Sequence, residues 1–333
     1  MGFLYVYPGT FGPPTLAHEA IAKKASEMLP NETIYIVCSV NPDKKPWFTP
    51  QECKKMWEES FDLPPNVKVE TFGSLVGENF DYKNAVMIRG ARNTEKGFEE
   101  EKKVMCYNVK TYGITKFIHV VGDENIIHIS SSKVRELATN AEIEKLSEYV
   151  PPLVISRLLE RVFGLNNLFL VVGKPGSGKS TYLDGLAKKD PRSIHINTDD
   201  FNKKLRPLIE ENFPGEDLVK VANKSEEKLS SVISKPWINL LKEALKKCPK
   251  NSDVYVEIPY GLQETKKLWR YVGGKVIYVG IGKNENATLR SRNKKRGTEY
   301  LMPFAKKIPG WKETLRIART YRLSLTRINT GGI

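Results

Sequence analysis

The sequence predicts an α/β protein of two domains, each a parallel sheet with helices packed against it. Three observations carry that expectation. Apolar runs of strand length alternate with helical runs through the first half; a glycine-rich turn, Gly173 to Thr181, follows an apolar run in the middle; and a second alternation follows that turn. A chain of 333 residues has room for two cores, and 40% hydrophobic with 28% charged residues describes a globular protein. Its apolar runs all fall short of the roughly 18–20 residues that span a bilayer. The opening Met1 to Pro8 is short and lacks a basic lead, so no signal peptide is expected and a cytoplasmic location is.

The first strand is Phe3 to Tyr7, running into Pro8-Gly9-Thr10-Phe11-Gly12-Pro13-Pro14-Thr15-Leu16-Ala17-His18. A helix fits Ala17 to Met28 and an Ile/Val-rich strand Thr33 to Val40. The next helix, Pro50 to Phe61, is announced by Thr49 as N-cap with Glu52 three residues on, the spacing of a capping box. Val67 to Thr71 and Val86 to Ile88 read as short strands, Thr94 to Tyr112 as a helix, and Lys116 to Val121 as a strand. Ser131 to Ala138 and Pro152 to Phe163 read as helices, with Gly164 to Asn167 as the linker. The expected domains are therefore 1–163 and 167–333. In a parallel sheet of this kind ligands bind at the carboxyl ends of strands. That expectation gathers Thr10, Asn41 to Lys45, Arg89 and Ile129 to Ser132 around one crevice.

In the second half, Leu168 to Val172 is a buried strand, and Gly173-Lys174-Pro175-Gly176-Ser177-Gly178-Lys179-Ser180-Thr181 matches G-x-x-x-x-G-K-[ST] without a substitution. The glycines Gly173, Gly176 and Gly178, with Ser177 and Thr181, let backbone N–H groups surround a phosphate at a helix N-terminus. Lys179 is placed to reach the β/γ-phosphates of ATP, and Ser180 to offer a hydroxyl to Mg²⁺. Ser193 to Asn197 is a short strand ending in Asp199 and Asp200, where a carboxylate can polarise an acceptor hydroxyl (Asp200) or hold Mg²⁺ through water (Asp199). A Lys/Glu-rich helical region runs from Glu216 to Lys247; Asp253 to Ile258 and Lys275 to Ile281 are strands. Glu257 closes the former strand as an acid at a metal-facing position. Arg290, Arg292 and Arg296 sit on a helix after the last core strand, where lid arginines would neutralise a transferring phosphoryl group.

The balance of 53 Lys and Arg against 39 Asp and Glu gives +14, which favours polyanions: phosphorylated small molecules or nucleic acid. Lys102-Lys103 and Lys246-Lys247 read as solvated helix faces. Cys38, Cys53, Cys106 and Cys248 show no C-x-x-C spacing, so zinc and a disulfide framework are not expected, and buried or half-buried thiols are.

Tyr7-Pro8-Gly9-Thr10-Phe11 with Thr15 and His18 resembles the signature of phosphopantetheine adenylyltransferases. Asn41 to Thr49, Ile88-Arg89-Gly90-Ala91-Arg92 and Ile129-Ser130-Ser131-Ser132 follow in that family's order, over residues 3 to 162. An adenylyltransferase of the same superfamily acting on nicotinamide mononucleotide is the neighbouring alternative. The resemblance implies a Rossmann-like nucleotidyltransferase sheet that uses ATP. It makes His18 the donor to the ATP phosphates and Thr10, helped by Lys44, the holder of the incoming phosphate. Arg89 and Arg92 become forks for phosphate oxygens, Ser130, Ser131 and Ser132 a cradle for the triphosphate, and Glu101 the acid near the adenosine. Phe11 and Gly90 join the ATP and substrate contacts. Gly12 departs from the family's usual Asp, Ala17 from its Gly, and Ile126 from an aromatic.

A P-loop kinase behind such a domain resembles bifunctional coenzyme A synthase, whose second domain phosphorylates dephospho-coenzyme A. Val256-Glu257-Ile258-Pro259 with Glu264 is similar to that kinase, whereas Asn197 to Asp200 and the loop itself resemble the polynucleotide-kinase and zeta-toxin group. Three functions stay open at this point: a bifunctional transferase, a nucleotidyltransferase fused to a kinase of nucleic acid or nucleosides, and a binding module that senses ATP without turnover.

Overall fold

The computed structural model describes residues 3–41, 45–76, 84–91, 95–121, 129–197, 199–216, 221, 226–258, 274–281, 285–295 and 310–330. Cα packing divides the chain into two compact units, Met1–Leu137 with Glu148–Val154, and Ala138–Ser147 with Ile155–Ile333.

The first unit is built on a five-stranded sheet of order β3-β2-β1-β4-β5, parallel throughout. Its strands are β1 (Leu4–Gly9), β2 (Ile34–Cys38), β3 (Val67–Thr71), β4 (Ala85–Ala91) and β5 (Lys116–Val121). Between them run α1 (Leu16–Met28), α2 (Pro50–Ser60), α3 (Phe72–Val76) and α4 (Glu95–Tyr112), followed by α5 (Ser131–Thr139). The order reverses at β1, where the chain first builds outward through β2 and β3 and then returns to β4. A ligand crevice is expected at that reversal, outside the strand ends. The capping box at α2 is present as read, with Thr49 Oγ1 accepting from Glu52 N–H at 3.2 Å and Glu52 Oε2 from Thr49 N–H at 2.7 Å.

The second unit holds α6 (Ile143–Leu146) and most of α7 (Pro152–Phe163), then a second parallel sheet of order β10-β9-β6-β8-β7. Its strands are β6 (Asn167–Val172), β7 (Ser193–Ile196), β8 (Asp253–Glu257), β9 (Lys275–Gly280) and β10 (Ser324–Asn329). The helices are α8 (Lys179–Lys189), α9 (Asp199–Asn212), α10 (Glu226–Lys246), α11 (Glu285–Lys295) and α12 (Trp311–Tyr321). Every residue of β9 is buried, which fits a central strand covered on both faces. A polar clamp joins α7 to this sheet: buried Glu160 accepts from Leu168 N–H at 2.9 Å and from Lys275 Nζ at 2.8 Å.

Two expectations are corrected and one element is added. The strand at Lys275 is not the last of the sheet, because β10 adds a polar edge beyond it. Within the helical region expected from Glu216 to Lys247, the described Val221 and α10 are helical, and α9, with Pro207 inside it, precedes that region as an added element. Cys38 and Cys53 are buried, but Cys106 is exposed on α4.

Candidate active sites

In the first unit the crevice is shaped by the turn that leaves β1. Phe11 takes φ +39°, a left-handed backbone that an aromatic residue rarely adopts, and its ring is buried. It meets Tyr7, His18 and Trp57 edge to face, with centroids 5.3, 5.2 and 5.4 Å away. Phe11 thus walls one side of the His18 imidazole. Thr15 caps α1, its Oγ1 accepting from His18 N–H at 3.4 Å, while Thr15 N–H donates to His18 Nδ1 at 3.1 Å. This is a capping box with histidine in the place of the usual Glu or Gln. Since Nδ1 accepts, the neutral imidazole carries its proton on Nε2, as a donor to a phosphate requires.

Gly9 O, at the end of β1, accepts from Ser39 N–H at 3.0 Å, and Thr10 O accepts from Cys53 Sγ at 3.4 Å, so the strand end is held from behind. The serine cluster heads α5 as read. Ser130 Oγ accepts from Lys133 N–H at 3.2 Å, and Ser131 Oγ donates to Pro13 O at 2.8 Å. Arg135, which sequence reasoning passed over, donates to Gly12 O at 2.6 Å and to Ser132 Oγ at 3.0 Å. Its only signal was its place one turn after the serines. It fixes the turn at Gly12, where an added Cβ would meet nothing closer than Thr10 O at 3.7 Å.

Arg89 and Glu101 are brought together. The guanidinium donates twice to the carboxylate, at 2.9 and 3.0 Å, and a third time to Pro8 O at 3.3 Å. The fork expected for phosphate is thus engaged by protein acceptors. Beneath it, burial raises the Tyr7 phenol far above its ordinary range, and the charge of Arg89 offsets only part of that. Gly90 answers a packing need: a Cβ there would lie 2.2 Å from Ile21 Cδ1 of α1. Lys44, Arg92 and Ile126 lie outside the described residues.

In the second unit the glycine-rich turn joins β6 to α8. Gly173, Gly176 and Gly178 take φ of +155°, +77° and +92°, with Gly178 as N-cap of α8. A Cβ on Gly173 would lie 2.3 Å from Val279 O, so only glycine fits. Lys179 is buried at 6% exposure, and its Nζ curls over the loop to donate to Gly173 O at 3.0 Å. Lys174, also in the loop, pairs with Glu285 of α11 at 2.9 Å.

Ser180 Oγ donates to Glu257 Oε1 at 3.2 Å, and His195 Nε2 lies 3.1 Å from the same oxygen, at ion-pair distance but off the line of a hydrogen bond. Burial alone would raise the Glu257 carboxyl; His195, Lys179 and Ser180 outweigh it and hold it below the ordinary carboxylate range. A serine hydroxyl beside an ionised carboxylate is an oxygen donor set that suits Mg²⁺. Among the described residues no group of three or more His, Cys, Asp or Glu is arranged to hold a metal ion. Asp199 and Asp200 open α9, and their side chains lie outside the described residues, as do Arg296 and Glu264. Arg290 is exposed. Arg292 donates to Gly176 O at 3.4 Å and to Thr330 O at 3.2 Å, so its fork grips the loop backbone and the end of β10. Sequence reasoning missed His195, Asn293 and Thr330, none of which carries a local motif. Among the described residues no helix is long and apolar enough to cross a membrane.

A family model described as cytidylyltransferase-like matches residues 6–137. The phosphopantetheine adenylyltransferase of Heliobacterium modesticaldum is 31% identical over 157 residues, which are 47% of this chain and 90% of that protein. The same-named protein of Nitrosomonas eutropha is 32% identical over 163 residues, 49% of this chain and 96% of its own. A solved NadR protein in complex with NR covers 100% of this chain and 92% of its own, but at 14% identity and a TM-score of 0.34 nothing about this chain follows from it. The sequence blocks, the sheet order and these relatives agree: the N-terminal half of the chain belongs to the phosphopantetheine adenylyltransferase family of cytidylyltransferase-like proteins.

Proposed function

We propose that the first unit transfers the adenylyl group of ATP to 4′-phosphopantetheine, and that the second unit phosphorylates the dephospho-coenzyme A so formed. A phosphate oxygen of the acceptor attacks the α-phosphorus, the bond to the bridging oxygen breaks, and pyrophosphate leaves. The protein's part is to position and to neutralise charge. The observation that carries the reading is His18: its Nδ1 accepts from Thr15 N–H, which leaves the proton on Nε2 to stabilise charge as it builds on the phosphates. Thr10 and Lys44 would hold the acceptor phosphate, and Arg92 would offer a fork to phosphate oxygens. The N–H groups heading α5, capped by Ser130, would receive the triphosphate.

In the second unit the loop from Gly173 to Thr181 would hold the phosphates of a second ATP. Lys179 would leave its carbonyl partners to reach the β/γ-phosphates, and Asp200 would take the proton of the acceptor hydroxyl as it attacks the γ-phosphorus, ADP leaving. Ser180, Glu257 and Asp199 would hold Mg²⁺, which would supply neutralisation of the phosphate charge.

The test is incubation of the protein with Mg-ATP and 4′-phosphopantetheine, with products followed by mass spectrometry. Coenzyme A as product supports both steps. Dephospho-coenzyme A alone supports the first and removes the proposed kinase acceptor. The absence of both overturns the acceptor assignment for the first unit.

A further inference from the structure

A phosphate-binding loop can turn its N–H groups inward only if its carbonyl oxygens are turned outward, and outward oxygens that are buried need donors. In this chain five consecutive carbonyls have them. Gly173 O accepts from Lys179 Nζ at 3.0 Å, and Lys174 O from Lys179 Nζ at 3.3 Å and Ser177 N–H at 3.0 Å. The next three are served from the far end of the chain. Pro175 O accepts from Asn293 Nδ2 at 3.2 Å, Gly176 O from Arg292 at 3.4 Å, and Ser177 O from the Thr330 hydroxyl. Arg292 also donates to Thr330 O at 3.2 Å, which links the two donors' elements. Thr330 N–H in turn donates to Gly280 O at 2.8 Å, seating the residue on the end of β9.

These groups are committed. Thr330 is 2% exposed, Asn293 1% and Ser177 0%, so water does not substitute for a lost donor without rearrangement. The fit is close as well as polar. A Cβ on Gly176 would lie 2.8 Å from Asn293 Nδ2, and one on Gly178 would lie 3.4 Å from Thr330.

We infer that Asn293 and Thr330 are positioning residues for nucleotide binding. Together with Arg292 they form a strap from α11 and the end of β10 that holds the loop carbonyls outward and so keeps the phosphate nest formed before a ligand arrives. The inference rests on the reading of this loop as a nucleotide-phosphate site. It assigns Arg292 to the loop backbone and not to the transferring phosphoryl group. Because the strap acts on the nest alone, it governs the affinity for polyphosphate whatever base is attached.

The test is hydrogen exchange on the full chain, read by mass spectrometry in the peptide 173–181 during titration with Mg-ATP and, separately, with Mg-tripolyphosphate. Reading that one peptide keeps ATP bound elsewhere from entering the result. Thr330→Val keeps the side-chain shape and removes the hydroxyl. It is expected to need about tenfold more of either ligand for half protection, the order expected when a buried acceptor loses its partner. Thr330→Ser, which keeps the hydroxyl, is expected to recover most of that loss, and Asn293→Ala to reproduce it independently. Unchanged exchange in residues 275–280 shows that the sheet is intact; if Thr330→Val unfolds the sheet, Asn293→Ala decides the matter. Wild-type titration curves in Thr330→Val and Asn293→Ala overturn the strap. Absence of protection at 173–181 in the unaltered chain overturns the nucleotide reading and the strap with it.

Discussion

At the scale of single residues, the first site turns on how one imidazole is held. His18 is fixed at Nδ1 by the Thr15 N–H and walled by the Phe11 ring, so its rotation and tautomer are set before substrate binds. A group that acts on charge developing in the transition state should appear in kcat and not in KM. His18→Ala is therefore expected to lower kcat for pyrophosphate release by roughly two to three orders of magnitude, with KM for ATP little changed. A parallel rise in KM would make His18 a simple ground-state binder. The cysteines give a second residue-scale prediction. Burial pushes the Cys53 thiol up to about 12 and the Cys38 thiol higher still, so near pH 8 neither offers the thiolate that alkylation needs. Cys106 is exposed. Iodoacetamide at pH 8 followed by peptide mapping is expected to label Cys106 and spare Cys38 and Cys53. Labelling of Cys53 in the native protein would mean that α2 does not pack on the turn at Thr10 as described.

At the scale of elements, the glycines separate two kinds of close approach. At Gly90 the obstacle is the flexible end of Ile21, which can turn aside; at Gly173 it is the carbonyl oxygen of Val279 in a central strand, which cannot. Gly90→Ala is thus expected to shift α1 modestly, while Gly173→Ala is expected to abolish Mg-ATP protection of the loop in hydrogen exchange. The clamp on α7 is a further test of elements. Glu160 is held by Lys275, Leu168 N–H and Arg157, all near or within the interior. Lys275→Ala leaves that carboxylate to Arg157 and the Leu168 N–H and is expected to cost about 1.5–3 kcal/mol in chemical denaturation, whereas Lys275→Met with Glu160→Leu is expected to cost less. These contrasts also mark what the sequence could tell. Elements with a local signature were legible: the Thr49–Glu52 box, the apolar run of β9, and the loop before α8. The strand β10 was not, because Ser324 to Asn329 forms a polar edge without an apolar run. Nor was α9, since Pro207 inside it reads as a break. The strap on the loop was beyond sequence reasoning for another reason. Thr330 and Ser177 stand 153 residues apart and meet only because β10 lies next to β9. Arg89 and Glu101 were each legible as site residues, yet their mutual pairing, which decides what Arg89 has left to offer, was not.

At the scale of the whole molecule, each of the two units carries a proposed site at its strand ends, and the proposed reactions run in series: the product of the first is the acceptor of the second. Series coupling makes a specific prediction that parallel, unrelated activities do not. Lys179→Ala removes the ammonium that would reach the β/γ-phosphates and leaves the first unit's residues untouched. Supplied with Mg-ATP and 4′-phosphopantetheine, it is expected to accumulate dephospho-coenzyme A and pyrophosphate in equal amounts and to form no coenzyme A. His18→Ala is expected to stall on 4′-phosphopantetheine but to convert added dephospho-coenzyme A at the unaltered chain's rate. Mixing the two variants is expected to restore coenzyme A formation, because the intermediate is a free small molecule that one variant releases and the other accepts. If Lys179→Ala still forms coenzyme A, the loop is not the phosphoryl donor site. If His18→Ala leaves added dephospho-coenzyme A untouched while the loop still binds Mg-ATP, the second unit acts on a different hydroxyl. The net charge of +14 then directs the search to acceptors with more than one phosphate.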